Sequence, residues 1–216
     1  MTGERRKFRR EGEERRREAL IAAALDLIAE GGAAGATVRA IADRAGVTPG
    51  LIRHYFQTKE ELTRAAYRQL MEDMSGDNTE VLAAAQDDPV ARLAAFVSAA
   101  LRPPVVDPRR MGLWAGFIHQ VRRDPDMAAI HAETYIAYRD QLQGLIAALP
   151  GAGDAASCRT LAIACNGVID GLWLEGCALP QAFANNELEQ IGLSAVGAIT
   201  GQDLLACRRT QEENTA

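Results

Sequence analysis

Residues 37–62, TVRAIADRAGVTPGLIRHYFQTKEEL, read as two short helices joined by a tight turn and followed by the start of a third. Thr37 suits the N-cap of the first helix, which carries Ile41 and Ala45 on its apolar side. Gly46 supplies the turn, because a residue without a Cβ enters the left-handed region at no steric cost. Thr48 caps the second helix, with Pro49 at the first position, where no N–H is needed. Leu51, Ile52, Tyr55 and Phe56 anchor that helix, and Thr58 with Glu61 has the spacing of a capping box for the next. Helix, short turn and helix is the geometry that lays a recognition helix in the DNA major groove, although many helical hairpins carry the same caps and bind nothing.

Outward from this stretch, the chain reads as helix after helix, an all-α fold. Residues 1–17 form a basic arm merging into the first helix, with eight basic groups against four acidic ones. Residues 5–17 are expected to be flexible before the helix proper. That helix places Leu20, Ile21, Ala24, Leu25 and Ile28 on a buried stripe and is ended by Gly31-Gly32 and Gly35. Asp88-Pro89, Asp107-Pro108 and Asp124-Pro125 each set a capping carboxylate before a proline, which marks three helix starts. Helices are expected over roughly 58–75, 89–101, 108–123, 125–149, 155–178 and 186–206, the last capped by Asn186 with Glu189. The domains expected are a helix-turn-helix DNA-binding domain over 11–75, with its linking fourth helix, and a larger helical domain over 76–216.

The net charge of −5 conceals an asymmetry. Residues 1–70 hold 14 Lys/Arg and 10 Asp/Glu, whereas the remainder holds 10 and 19. A basic first part on an acidic remainder suits a molecule that meets phosphate at one end. No run of eighteen apolar residues occurs and no apolar stretch follows the basic N-terminus, so neither a membrane span nor a secretory signal is expected, and the cytoplasm is the expected compartment. Cys158, Cys165, Cys177 and Cys207 lack zinc-type spacing and are expected as free thiols, with redox sensing as the alternative to buried structural cysteine. No metal site or cofactor is expected; His119 and His131 read as structural or surface residues.

AIADRAGVTPGLIRHYFQTKEEL closely resembles the helix-turn-helix of the TetR family of bacterial repressors, in the small-residue turn, the aromatic pair Tyr55-Phe56 and the Lys-Glu-Glu-Leu start of the fourth helix. The resemblance implies a homodimer that binds DNA through the N-terminal domain, and ligand through the C-terminal one. It also implies phosphate contacts from His54, Tyr55 and Lys59. From residue chemistry, Thr37 sits at a helix N-terminus that attracts phosphate, and Arg39 can reach phosphate or a guanine edge. Thr48, Pro49 and Gly50 open the recognition helix, and Arg53 is the candidate for bidentate guanine recognition. Phe56 is expected in the core. The arm, with Arg5, Arg6, Lys7, Arg9 and Arg10, reads as phosphate or minor-groove contact, or as solvated surface.

GLWAGF (112–117) and VIDGLWLEGCAL (168–179) look like segments of the BetI branch, the choline-responsive repressors, whereas 76–110 matches poorly. Trp114 and Phe117 share a helical face, Tyr135 and Tyr138 lie three apart, and Asn166, Asp170, Trp173 and Cys177 form one stripe. Aromatic faces with one acid suit a quaternary ammonium, so Trp114, Phe117, Tyr135, Tyr138, Asn166, Asp170 and Trp173 are the candidate ligand residues. The same stripe could equally be core, Asp170 could pair with an arginine across a dimer interface, and the effector could be neutral or apolar. Gly167, Gly171 and Ala178 thin one helix, and Gly192, Ala195 and Gly197 another, as a four-helix dimer interface would require. The reading is a transcription regulator released from a palindromic operator in double-stranded DNA by a small-molecule effector. An enzyme carrying such a module is the competing class, without nucleophile–base pairing, metal spacing or phosphate-binding glycine loop. A ligand-free DNA-organising protein is the third.

Overall fold

The computed structural model describes the backbone of residues 2–84 and 87–213 and the side chains of residues 12–75, 82 and 87–208. Its helices are α1 (Thr2–Gly35), α2 (Val38–Arg44), α3 (Pro49–Tyr55), α4 (Lys59–Ala84), α5 (Pro89–Ala100), α6 (Pro108–Val121), α7 (Pro125–Ala147), α8 (Ala155–Ala178), α9 (Glu187–Thr200) and α10 (Leu204–Glu213). A single 3-10 turn, Pro180–Ala182, follows α8, and no strand occurs among the described residues.

The polar starts of these helices do what their sequences dictate. Asp88, Asp124 and Asp154 accept from the backbone N–H groups of Ala91, Met127 and Ser157, satisfying donors that the first turn would leave orphaned. Asp107 does so from Arg109 at 2.6 Å. Thr58 accepts from the Glu61 N–H at 3.1 Å while the Glu61 carboxylate accepts from the Gln57 N–H at 2.9 Å, a capping box displaced by one residue on its return arm.

Four expectations are corrected. The basic arm is helical from Thr2, because Arg, Lys and Glu are good helix formers and nothing in the segment stops a helix. Helix α4 runs to Ala84 rather than to about 75, since a glycine inside a helix costs only about 1 kcal/mol and does not by itself break it. The last expected helix is two. Gly201 adopts φ 71°, its N–H and that of Gln202 close on the Gly197 carbonyl, and Asp203 caps α10 through the Ala206 N–H. Asn186 makes no side-chain cap; it is itself left-handed, Glu187 takes the Ala184 N–H, and Glu189 turns inward to Arg208 of α10 at 3.2 Å. The expected break at Gly31-Gly32 is present as a departure from helical geometry at Gly32, φ 70° and ψ 177°, within α1.

The chain forms two compact units, residues 1–71 with 112–131, and residues 72–111 with 132–216. They are not consecutive stretches. The first recruits α6 and the opening of α7 along with the helix-turn-helix. Its core holds Leu20, Ile21, Ala24 and Ile28 of α1, Ile41, Ile52, Phe56, Leu62, Tyr67, Leu113, Phe117 and Met127. Leu25 of the expected stripe is half-buried. Arg44 grips Glu30 with two bonds, 2.9 and 2.7 Å, which fastens α2 to α1. Arg64 meets both Asp124 and Asp126, and the buried Tyr67 hydroxyl bonds His131 Nδ1 at 2.7 Å.

The second unit is organised around α5, whose Ala91 and Leu93–Ala100 are all buried, packed against α8, α9 and α10. Full burial of Leu93, Phe96 and Val97 contributes about 2 kcal/mol each. A Cβ at Gly192 would run into Leu101, and one at Gly176 into Leu188, so these glycines permit the close approach of α9 to α5 and of α8 to α9. A Cβ at Gly197 would strike the Gln202 carbonyl, so Gly192 and Gly197 serve packing within the chain rather than the outer face expected for them. Helix α8 is long and apolar enough to cross a membrane by length and mean hydropathy alone; its buried stripe packs on α9 as a core helix does.

Candidate DNA-reading and effector sites

The first unit carries the DNA-reading candidates. Thr37 caps α2, its Oγ1 accepting from the Ala40 N–H at 3.2 Å. Gly46 turns the chain at φ 66°, and the Val47 N–H closes on the Ala42 carbonyl. Thr48 precedes α3 with extended backbone and makes no side-chain cap, so its hydroxyl is not consumed by the helix it begins. Ile52 and Phe56 hold α3 down, with the Arg17 guanidinium 5.1 Å above the Phe56 ring. This turns Arg39, Thr48, Pro49, Gly50, Arg53 and His54 to the exposed side, with Tyr55 half-buried and edge-on to His54. Gly50 is informative because a Cβ there would meet nothing within 4 Å. The fold gives no packing reason for glycine inside a helix, where it is less stable than alanine by about 0.5–1 kcal/mol.

Lys59 is half-buried and its Nζ bonds the Ala33 carbonyl at 3.4 Å, next to the Gly32 break. As found, it ties α4 to the end of α1. The arm's basic side chains, Arg5, Arg6, Lys7, Arg9 and Arg10, lie outside the described side chains.

The ligand candidates are divided between the two units. Trp114 and Phe117 belong to the first unit, where Phe117 is fully buried with its ring 5.1 Å from that of Tyr67. Phe117 is therefore core. Tyr135, Tyr138, Asn166, Asp170 and Trp173 belong to the second unit. Trp173 is buried and its Nε1 donates to the Val105 carbonyl at 3.0 Å, which makes it a structural link. The Tyr138 ring leans on Phe96 at 5.0 Å.

Tyr135, Asn166 and Asp170 form a compact network between α7 and α8. The Tyr135 hydroxyl donates a very short hydrogen bond to Asp170 Oδ2 and accepts from Asn166 Nδ2 at 2.6 Å, while Nδ2 also donates to Asp170 Oδ2 at 2.9 Å. Asp170 thus finds its partners within the chain. Burial raises its carboxyl above the ordinary range, opposed by the hydrogen bonds from Tyr135 and Asn166. Burial first, and then the bond to Asp170, push the Tyr135 phenol up to about 12, so it stays a donor at neutral pH. Sequence reasoning missed Arg139, one turn beyond Tyr135 on α7, whose charge acts on that phenol; the i, i+4 spacing was the available signal.

The remaining titratable groups have structural surroundings. His131 is pushed down by burial beside Tyr67, and His119 is exposed. Cys158, Cys165 and Cys177 are buried free thiols. Burial pushes Cys165 and Cys177 up to about 11, which keeps them as unreactive thiols. Among the described residues no three His, Cys, Asp or Glu side chains gather in a metal-binding group.

Comparison with known proteins matches two consecutive stretches of the chain, the second of which takes in residues of both units. Residues 20–66 match the bacterial regulatory proteins of the tetR family, and residues 89–201 match the C-terminal domain of BetI-type transcriptional repressors. The second match starts within the 76–110 stretch that the sequence had left unmatched. The chain is 34% identical over 162 residues to the HTH-type transcriptional regulator BetI of Burkholderia thailandensis, covering 74% of this chain and 81% of that protein. Its fold is similar to that of a transcriptional regulator from Pseudomonas aeruginosa PAO1, TM-score 0.78 and 30% identity, covering 91% of this chain and 94% of the other. A regulator from Saccharomonospora viridis, solved in complex with choline, shares the fold at TM-score 0.67 and 18% identity, covering 82% and 92%.

Proposed function

The chain belongs to the TetR family and is a transcriptional repressor of the BetI type, and from that premise we propose that it acts as a homodimer whose two α3 helices read the halves of a palindromic operator. The observation that carries this reading is the exposed face of α2 and α3, where Arg53, Arg39 and Thr48 stand outward beside a glycine, Gly50, that the fold itself does not require. Arg53 reads guanine through two hydrogen bonds. Pro49 and Gly50 let the backbone approach, and Thr37, His54, Tyr55 and Lys59 hold phosphate. Engaging phosphate costs Lys59 its bond to Ala33, which couples DNA contact to the end of α1.

The dimer is formed by the outer face of α8 and α9. Gly167 and Gly171 are exposed, and a Cβ on either would meet nothing within 4 Å. Ile163, Leu174, Leu179 and Ile191 are large, apolar and 41–59% exposed. Small residues flanked by exposed apolar ones suit the close approach of a second copy, and two-fold symmetry matches a palindrome. Such a regulator works in the cytoplasm, and the reading assigns it no catalytic residue.

The effector is a small organic molecule at the Tyr135–Asn166–Asp170 network, with a quaternary amine as its leading chemistry. Support comes from the half-buried carboxylate beside Tyr135, the relatives named BetI, and the choline found in a protein of the same fold. Binding shifts the population toward a dimer whose α3 helices no longer fit both half-sites. The test is operator binding by fluorescence anisotropy as choline or betaine aldehyde is added. Release of DNA supports the reading; no release at millimolar ligand, and no heat when the same ligands are titrated calorimetrically, removes the quaternary amine and leaves a neutral or apolar effector.

A further inference from the structure

Two polar atoms at the α7–α8 network are left over by its internal hydrogen bonds. Asn166 is 4% exposed and turns its amide nitrogen toward both Tyr135 and Asp170. A carboxylate only accepts, so the NH₂ end must face Asp170. That orientation leaves Asn166 Oδ1 buried without a partner. Arg139 stands one turn beyond Tyr135 on the same side of α7, and its Nε is also buried without a partner. One atom calls for a donor and the other for an acceptor. Native proteins rarely leave such groups unpaired, so each calls for a partner.

These requirements restrict the ligand. A quaternary ammonium has no N–H and cannot serve Asn166 Oδ1. A bare cation also meets the like charge of Arg139, which an additional carboxylate would balance. We infer that the effector is a hydroxylated zwitterion, with a quaternary ammonium set against Asp170, a hydroxyl donating to Asn166 Oδ1, and a carboxylate accepting from Arg139 Nε. This rests on the quaternary-amine reading and deepens it by assigning two further groups and one further residue, Arg139, which selects zwitterion over cation.

Three probes separate the groups when titrated calorimetrically into the full-length protein. Choline carries the hydroxyl and cation, glycine betaine the cation and carboxylate, and carnitine all three. Carnitine should bind about tenfold tighter than either, the value of one added hydrogen bond. Arg139→Gln should weaken carnitine and glycine betaine by about tenfold and leave choline unchanged or tighter. Arg139→Lys, which keeps the charge and loses the Nε geometry, should fall between. If choline binds as tightly as carnitine, or if Arg139→Gln weakens all three alike, the zwitterion is wrong while the quaternary-amine reading stands. If none of the three binds, both fall. Should the Arg139 variants not fold, the ranking of the three ligands on wild type decides alone.

Discussion

The face of α3 and the network between α7 and α8 handle polar groups in opposite ways. On α3, Arg53 and His54 point into water and Thr48 makes no capping bond, while Ile52 and Phe56 do the anchoring. Between α7 and α8, Tyr135, Asn166 and Asp170 are turned on one another, with Asn166 buried and the other two half-buried. The difference follows from the partners. DNA brings a dense array of phosphates to an open surface, and release of its counterions drives binding, so water can solvate the protein groups until then. A small molecule has few contacts, and each counts only where water is excluded, so its groups must be held in place by each other. The fully exposed side chains of the DNA face are therefore expected to affect binding without stability, and the network to affect both.

The largest separation should come from Arg53→Ala. It is expected to cost about 1–3 kcal/mol of specific DNA binding and to relax preference at one base position, with no change in unfolding midpoint. Lys59→Ala should weaken all duplexes alike and, because Lys59 also bonds Ala33, shift the unfolding midpoint slightly. Competition binding over duplexes varied one position at a time, with thermal unfolding alongside, distinguishes the two.

Asp170→Asn is the counterpart in the network. It keeps the shape and an oxygen to accept from Tyr135 and Asn166, and removes the charge. Effector binding should weaken by about 1–3 kcal/mol while operator binding stays near wild type. Its pH dependence has a definite sign. The folded Asp170 carboxyl titrates above its unfolded value, so the folded form holds its proton longer. Stability from this group is present at acid pH and lost as pH rises through the folded pKa. The stability difference, wild type minus Asp170→Asn, should therefore fall from acid toward neutral pH and then level off. Urea unfolding across that range measures it; a difference that rises with pH would mean the carboxyl is not desolvated.

Tyr135→Phe should destabilise the second unit by about 1 kcal/mol, because it removes a donor from a half-buried carboxylate. It should also steepen the fall just described, since the lost bond had been favouring the charged form. The smallest effect belongs to Gly50→Ala, which should stabilise the fold by about 0.5–1 kcal/mol and weaken operator binding. Stabilisation with unchanged DNA affinity would show that the backbone at Gly50 does not approach DNA.

What the sequence reveals follows how local the cause is. The turn at Gly46, the Asp-Pro helix starts and the exposed side of α3 depend on residues within one or two turns of each other, and all are found as read. Gly201 with Asp203 was an equally local signal of a helix break, overridden by the long apolar run around it. Trp114 and Phe117 shared a helical face with nothing to say which unit would take that face, and Phe117 went to the core with Tyr67, fifty residues away in the chain. Glu189 looked like a cap because its spacing to Asn186 was right; its partner Arg208 lies on the next helix. The Tyr135–Asp170 bond joins residues 35 apart, and no periodicity encodes that pairing.

Selection from random duplexes with the full-length protein, followed by sequencing of the bound pool, tests the central claim most directly. A repressor that reads DNA through paired α3 helices predicts an enriched inverted repeat, its half-sites separated by whole helical turns. The same selection with Arg53→Ala should lose information at one symmetric pair of positions. A bound pool without any enriched motif would contradict the account.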